Sequence, residues 1–327
     1  MSSTAGIFES RLARLRKFRL STLRDYGIVF AFIALFVTLS FASDVFFSQQ
    51  NFMNILDQWS AVGIIAVGST LVFIAGGFDL SIAAVYAFAG IIAAKAANSY
   101  GIAPGFVLGA MAGLGVGVCN GLIVTVGRIN PFMATLASSL MVRGLALAVS
   151  GGFLIRVADE KNFDLLGRGK FLDAKYSVYL FAGVILLSAL LLHRTIFGRY
   201  CYAAGGNAEA ARLSGVRVNL VRGTTYAISG LCAGIGGVIV ASRVNTGQAD
   251  AGVGLEFDAI AAVVIGGTSI LGGVGAIWRT VLGVLMLAMI QNGFNLLNVD
   301  AVYQRIIYGA IIIGAVGIDA WSRRSTR

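Results

Sequence analysis

The sequence predicts an all-α polytopic membrane protein, on three observations. Hydrophobic residues fill 57% of the 327 positions and charged residues only 12%, about half the charge of a soluble domain. The apolar residues gather in runs near the length of a membrane helix, about 20 residues. The basic residues collect in alternate connections between those runs, as the positive-inside rule requires. A mean hydropathy of +0.85 agrees, as do 43 glycines against two prolines, because small residues let membrane helices approach closely.

Ten spans are expected: 27–47, 57–76, 81–97, 104–126, 131–150, 177–193, 223–242, 257–273, 280–297 and 304–321. The first is read as a retained helix, because its 26-residue basic lead is longer than a signal peptide's and further spans follow. The third, sixth and eighth are short, and glycine interrupts the eighth. With both ends on the cytoplasmic side, the inner connections hold Arg128, Arg279 and the five arginines of 194–222, besides the two basic ends. Ten of the 15 acids then fall outside. The chain divides into a basic segment 1–26, a transmembrane domain 27–321 and a basic tail 322–327, with an outer loop at 151–176. The net charge of +10 follows the membrane and does not mark a nucleic-acid partner.

Chemistry of its own has little to stand on. Cys119, Cys201 and Cys232 are scattered and form no ligand pair or disulfide framework. His193 is the only histidine, which leaves no multi-histidine zinc site and no evident catalytic triad. Neither a phosphate-binding G-x-x-x-x-G-K-[ST] loop nor G-x-G-x-x-G occurs. ATP, if used, is bound by another chain, and no cofactor or metal is expected here.

Gly109, Gly113, Gly117 and Gly121 recur every fourth residue in the fourth span. They lie on one helix face and admit a close neighbour, for packing or for sliding. A faint echo links Val107-Leu108-Gly109 and Asn120-Gly121 with Val281-Leu282-Gly283 and Asn292-Gly293. Repeated halves of this kind are common in transporters.

Ionisable and polar groups inside the apolar phase are functional candidates. Gly76-Gly77-Phe78-Asp79-Leu80-Ser81 interrupts two apolar runs. Asp79 and Ser81 read either as caps of the next helix near the inner boundary or as part of a broken helix lining a cavity. Arg143 lies deep in the fifth span and needs a partner that the sequence does not name. Glu256 and Asp258 open the eighth span from outside, as dipole partners or as the outer mouth of a path. Ile265–Gly275, with Gly266, Gly267, Thr268 and Ser269, reads as a re-entrant or broken element buried in protein. Asn120, Gln291 and Asn292 suit an uncharged polyhydroxylated ligand, or bonds between helices, which are the more common use.

The basic segment Arg194–Arg222 carries a short exposed helix at Asn207-Ala208-Glu209-Ala-Ala-Arg212-Leu213-Ser214-Gly215. Asn207 caps it, Glu209 sits in the first turn, and Gly215 can end it. A well-capped helix on the positive side is a handle for a cytosolic partner.

Three segments, Gly76–Ser81, Gly198–Val216 and Leu255–Gly273, resemble the ribose/xylose/arabinose-type permease subunits of ABC importers, and the likeness runs from about residue 50 to 321. The family commonly has Ile at Phe78 and Val-Gly at Ile82-Ala83. The resemblance implies a vitamin-B12-importer-like fold of about ten helices and a dimer with a second copy or paralogue. It also implies a cytosolic ABC ATPase that holds ATP and Mg, an extracytoplasmic sugar-binding protein, and residence in the bacterial cytoplasmic membrane. The 207–215 helix matches the family's coupling element. Gly76, Gly77, Asp79, Ser81, Asn120, Gly266, Gly267, Thr268, Ser269 and Asn292 are then expected along the pathway or its hinges. An ion-driven carrier is the rival reading, argued against by the placing of Asp79, Glu256 and Asp258 near span boundaries; a membrane enzyme or a passive channel has less support.

Overall fold

The computed structural model describes residues 27–300 and much of 302–317. Its helices are α1 Gly27–Ala42, α2 Gln49–Ile74, α3 Ile82–Tyr100, α4 Ile102–Thr125, α5 Pro131–Ser150, the single turns α6 Glu160–Phe163 and α7 Leu165–Arg168, α8 Tyr176–Arg194, α9 Ile196–Gly206, α10 Ala208–Leu213, α11 Val218–Val244, α12 Leu255–Ile265 and α13 Ile277–Leu296. Four two-residue strands, β1 Ile155–Arg156, β2 Lys170–Phe171, β3 Ala174–Lys175 and β4 Thr246–Gly247, form the antiparallel pairs β1–β4 and β2–β3. Helices α2, α3, α4, α5, α8, α11 and α13 are long and apolar enough to cross a membrane, and α1 is apolar but shorter. This is the predicted all-α polytopic class. The segments 1–26 and 322–327 lie outside the described residues, as does part of the span expected at 304–321.

Two boundaries differ from expectation. Helix α2 begins at Gln49, eight residues before the predicted start, because Ser48 caps it through its hydroxyl to the Asn51 amide at 3.2 Å. Its polar first turns hide that start from a hydropathy reading. The span expected at 257–273 is instead the 11-residue α12 followed by irregular chain. Gly267, at φ +79°, leaves the helical region and ends it.

The buried centre is α2, α3 and α11, with α4 laid against the last two. Helix α4 buries only Gly105, Gly109, Gly113, Gly117, Asn120, Gly121 and its last two residues. The predicted glycine stripe is thus a packing face. A Cβ on Gly121 would come within 2.8 Å of the Gly223 carbonyl oxygen, and one on Gly113 or Gly117 would collide with backbone of α11 at Gly230 or Tyr226. The two helices touch backbone to backbone, the closest approach that small residues permit.

At the end of the bundle that carries the 151–176 loop, Asp57 of α2 accepts from Lys175 Nζ at 2.6 Å, Arg243 Nη2 at 2.9 Å and Ser177 Oγ at 2.8 Å. One carboxylate so ties α2 to the start of α8 and the end of α11. The charged 151–176 loop is folded onto the bundle: β1 pairs with β4, the Gly167 amide donates to Ser242 Oγ at 2.8 Å, and Phe163 is fully buried against Phe106.

Candidate functional site

After α2 the chain turns at Gly76 (φ +75°) and runs non-helically to Ser81. It climbs along one face of α11. Arg222 Nε donates to Ala75 O at 2.9 Å, and Tyr226 Oη accepts from Phe78 N and donates to Phe78 O, both at 3.1 Å. Ser229 Oγ donates to Asp79 Oδ2 at 3.0 Å. Positions 222, 226 and 229 share one helix face by their spacing. Thr135 of α5 takes the Leu80 amide at 3.1 Å. Side chains thus satisfy backbone groups that no helix or ladder pairs, the condition for irregular chain at membrane depth.

The Asp79 carboxylate is buried. Its Oδ1 accepts from the Ser81 amide at 2.9 Å and the Ser81 hydroxyl at 2.6 Å, and Asn120 Nδ2 donates to Ser81 Oγ at 2.7 Å. Ser81 holds the N-cap position of α3 without a side-chain capping bond, and Asp79 accepts from the amide of that residue. Among the described residues no cation pairs with Asp79. Asp79 lies buried on irregular chain inside the helix bundle. Ser229 lies eleven residues into α11, about 16 Å along its axis, because the chain climbs back into the bundle before α3 begins.

The other two motifs meet the foot of this segment. Irregular chain after α12 reaches the end of α2, where Gly273 N donates to Ile74 O at 2.9 Å. Gly272 and Gly273, at φ +94° and +74°, lie against the backbone of Gly76, Gly205 and Gly206, and a Cβ on Gly205 would collide with Ile74 O. Arg222 Nη2 also holds Ala204 O at 3.2 Å, and Tyr202 Oη donates to Gly275 O at 2.8 Å. Thr268 and Ser269 are buried within this turn, with Ser269 Oγ accepting from the Leu271 amide at 3.1 Å. Gly266 packs on the Arg279 carbonyl.

Helix α10 follows α9 directly. Asn207 Oδ1 accepts from the Glu209 and Ala210 amides at 3.1 and 3.0 Å, and Gly215 has φ +84°. Arg212 and Glu209 form an exposed pair at 3.1 Å, and Leu213 is 82% exposed. The structure therefore joins Gly76, Asp79, Ser81 and Asn120 with the 266–275 turn and, through α9, with the 207–215 helix.

Other candidates stand apart. Asn292 and Asn51 exchange two side-chain hydrogen bonds, at 3.0 and 2.9 Å, and Gln291 accepts from Trp59 Nε1 at 3.0 Å. Glu256 and Asp258 lie in the first turn of α12. Arg143 Nη1 donates to the carbonyls of Ala249 and Ala251 at 2.6 and 3.2 Å, which names its partner. Sequence reasoning did not single out Arg222, Tyr226, Ser229, Thr135 or Asp57. The i, i+4, i+7 spacing of Arg222, Tyr226 and Ser229 was the available signal.

The described residues thus form a bundle of helices long and apolar enough to cross a membrane, with α9 packed on its irregular core and the capped, exposed α10 following α9. Residues 51–316 match the family model described as "Branched-chain amino acid transport system / permease component", and the chain belongs to that family. It is 39% identical over 308 residues to the ribose import permease protein RbsC of Escherichia coli (strain K12), covering 93% of this chain and 96% of that one. It is 37% identical over 302 residues to the L-arabinose ABC transporter permease protein AraH of Azospirillum brasilense, covering 92% and 89%. The RbsC of Bacillus subtilis (strain 168) is 38% identical over 300 residues, covering 91% and 93%. No solved structure matches the chain.

Proposed function

We propose that this chain is the membrane-spanning subunit of an ATP-driven importer of a monosaccharide or related polyol. It works with a separate ATPase that holds ATP and Mg, a second permease copy or paralogue, and an extracytoplasmic binding protein. Both termini face the cytoplasm of the bacterial inner membrane, the orientation that puts the arginines of 194–222 inside. The observation that carries the reading is the contact of α9 with the irregular core: a push on Asn207–Gly215 reaches Gly76, Gly272 and Gly273 through backbone. Its relatives named for ribose and arabinose supply the solute class. Asp79, Ser81, Asn120, Gly77, Gly266, Gly267, Thr268 and Ser269 form the hinge and border of the pathway. Asn292, held by Asn51, borders it from α13, and Glu256 and Asp258 flank the outer mouth.

Reversing Glu209→Lys or Arg212→Glu tests the coupling role in proteoliposomes containing the ATPase. Uptake and ATPase stimulation are expected to fall severalfold. Stability should change by less than about 1 kcal/mol, because the pair is exposed. Normal uptake and stimulation in both variants would overturn the assignment. One observation favours an ion-driven carrier as the second reading: Asp79 is a buried carboxylate with no cation paired to it among the described residues, the group such carriers use. Uptake that stops when the ion gradient is collapsed at constant ATP would decide for it.

A further inference from the structure

A cavity of about 620 Å³ lies beside α10 and shares Arg222 with the foot of the irregular segment. Its lining comes from the end of α4, the 126–130 loop, α10 and the start of α11, and includes Arg128, Arg212, Asn219 and Arg222. Three arginines line it. Among the described residues Glu209, paired with Arg212, is the one acid in an ion pair with any of them. Arg222 spends part of its guanidinium on Ala75 and Ala204. Among the described residues Arg128 has no hydrogen bond and no ion pair. It also holds φ +54°, a left-handed conformation uncommon for a residue other than glycine or asparagine.

The surface continuing from the cavity is apolar. Val126, Phe132, Met133 and Leu220 are all exposed beside it, at the ends of helices that cross the membrane. Basic pockets between membrane helices, edged by apolar surface, suit an anionic lipid headgroup, and arginine matches phosphate oxygens with paired N–H donors.

We propose that this cavity binds the phosphate of an anionic phospholipid, with Arg128 as the donor held ready for it and the acyl chains lying on the exposed ends of α4 and α5. The lipid bridges the 126–130 loop to α10 and the foot of α11. A free inorganic anion would use the same guanidinium groups but not the apolar surface.

The test uses the full chain, purified in detergent, stripped of lipid and followed by native mass spectrometry. Arg128→Asn removes the charge while keeping a residue at ease in the left-handed region; Arg128→Gln is a second variant, and an unchanged thermal midpoint shows that each is folded. Phosphatidylglycerol is expected to bind the unmodified chain more tightly than phosphatidylcholine. Both variants should weaken it roughly tenfold, the loss of one charged hydrogen-bonded contact. Arg217→Asn, which removes an exposed charge outside the cavity lining, should leave binding unchanged. Millimolar inorganic phosphate should not displace the lipid. Equal binding by unmodified and Arg128-substituted chains, equal loss in Arg217→Asn, no preference over phosphatidylcholine, or displacement by inorganic phosphate would each overturn the proposal.

Discussion

Asp57, two turns into α2, accepts from Lys175, Arg243 and Ser177. Asp79, beyond the other end of the same helix, accepts among the described residues only from two serine hydroxyls and one amide. Both carboxylates are buried, at 6% and 4% exposure, so each must replace lost water. Two cations at a helix crossing make a staple, since the charges fix which ends of α2, α8 and α11 meet. Hydroxyls leave the other site neutral in its partners and able to reorient. The first arrangement belongs to the frame, and the second to the irregular chain that lies against the 266–275 turn.

That contrast predicts a ranking. Asp57→Ala leaves two cations facing each other and should cost roughly 3 kcal/mol of stability in detergent unfolding, the low end for a broken buried pair. The low end applies because the Lys175 and Arg243 side chains keep 27% and 22% exposure and can reach water. Asp79→Ala strands only neutral donors and should cost about 2 kcal/mol. A loss at Asp79 larger than at Asp57 would break the comparison. Ser229→Ala removes one of the three hydrogen bonds to Asp79 and should cost about 1 kcal/mol. No change there would show that water or another group already serves Oδ2.

Local features were legible in the sequence. A glycine every fourth residue states a helix face directly, and α4 meets α11 along that face. The Asn207 cap and Gly215 stop are short-range chemistry, and α10 lies between them. Depth was not legible at Asp79. Hydropathy sees two apolar runs with a polar break, whereas the height of the break is set by Arg222, Tyr226 and Ser229, about 150 residues away. Asp57 stood at the edge of a predicted span, and its cationic partners lie 118 and 186 residues off. The partners of Arg143 are backbone carbonyls, which carry no sequence signature at all.

The meeting of Gly76, Gly205, Gly272 and Gly273 has a mechanical consequence. Side chains between moving parts act as springs, since rotamers can turn to absorb a small displacement. Here main chain bears on main chain, and peptide geometry is stiff. The joint has almost no slack, so a shift of α9 is either handed on at full amplitude or the joint parts.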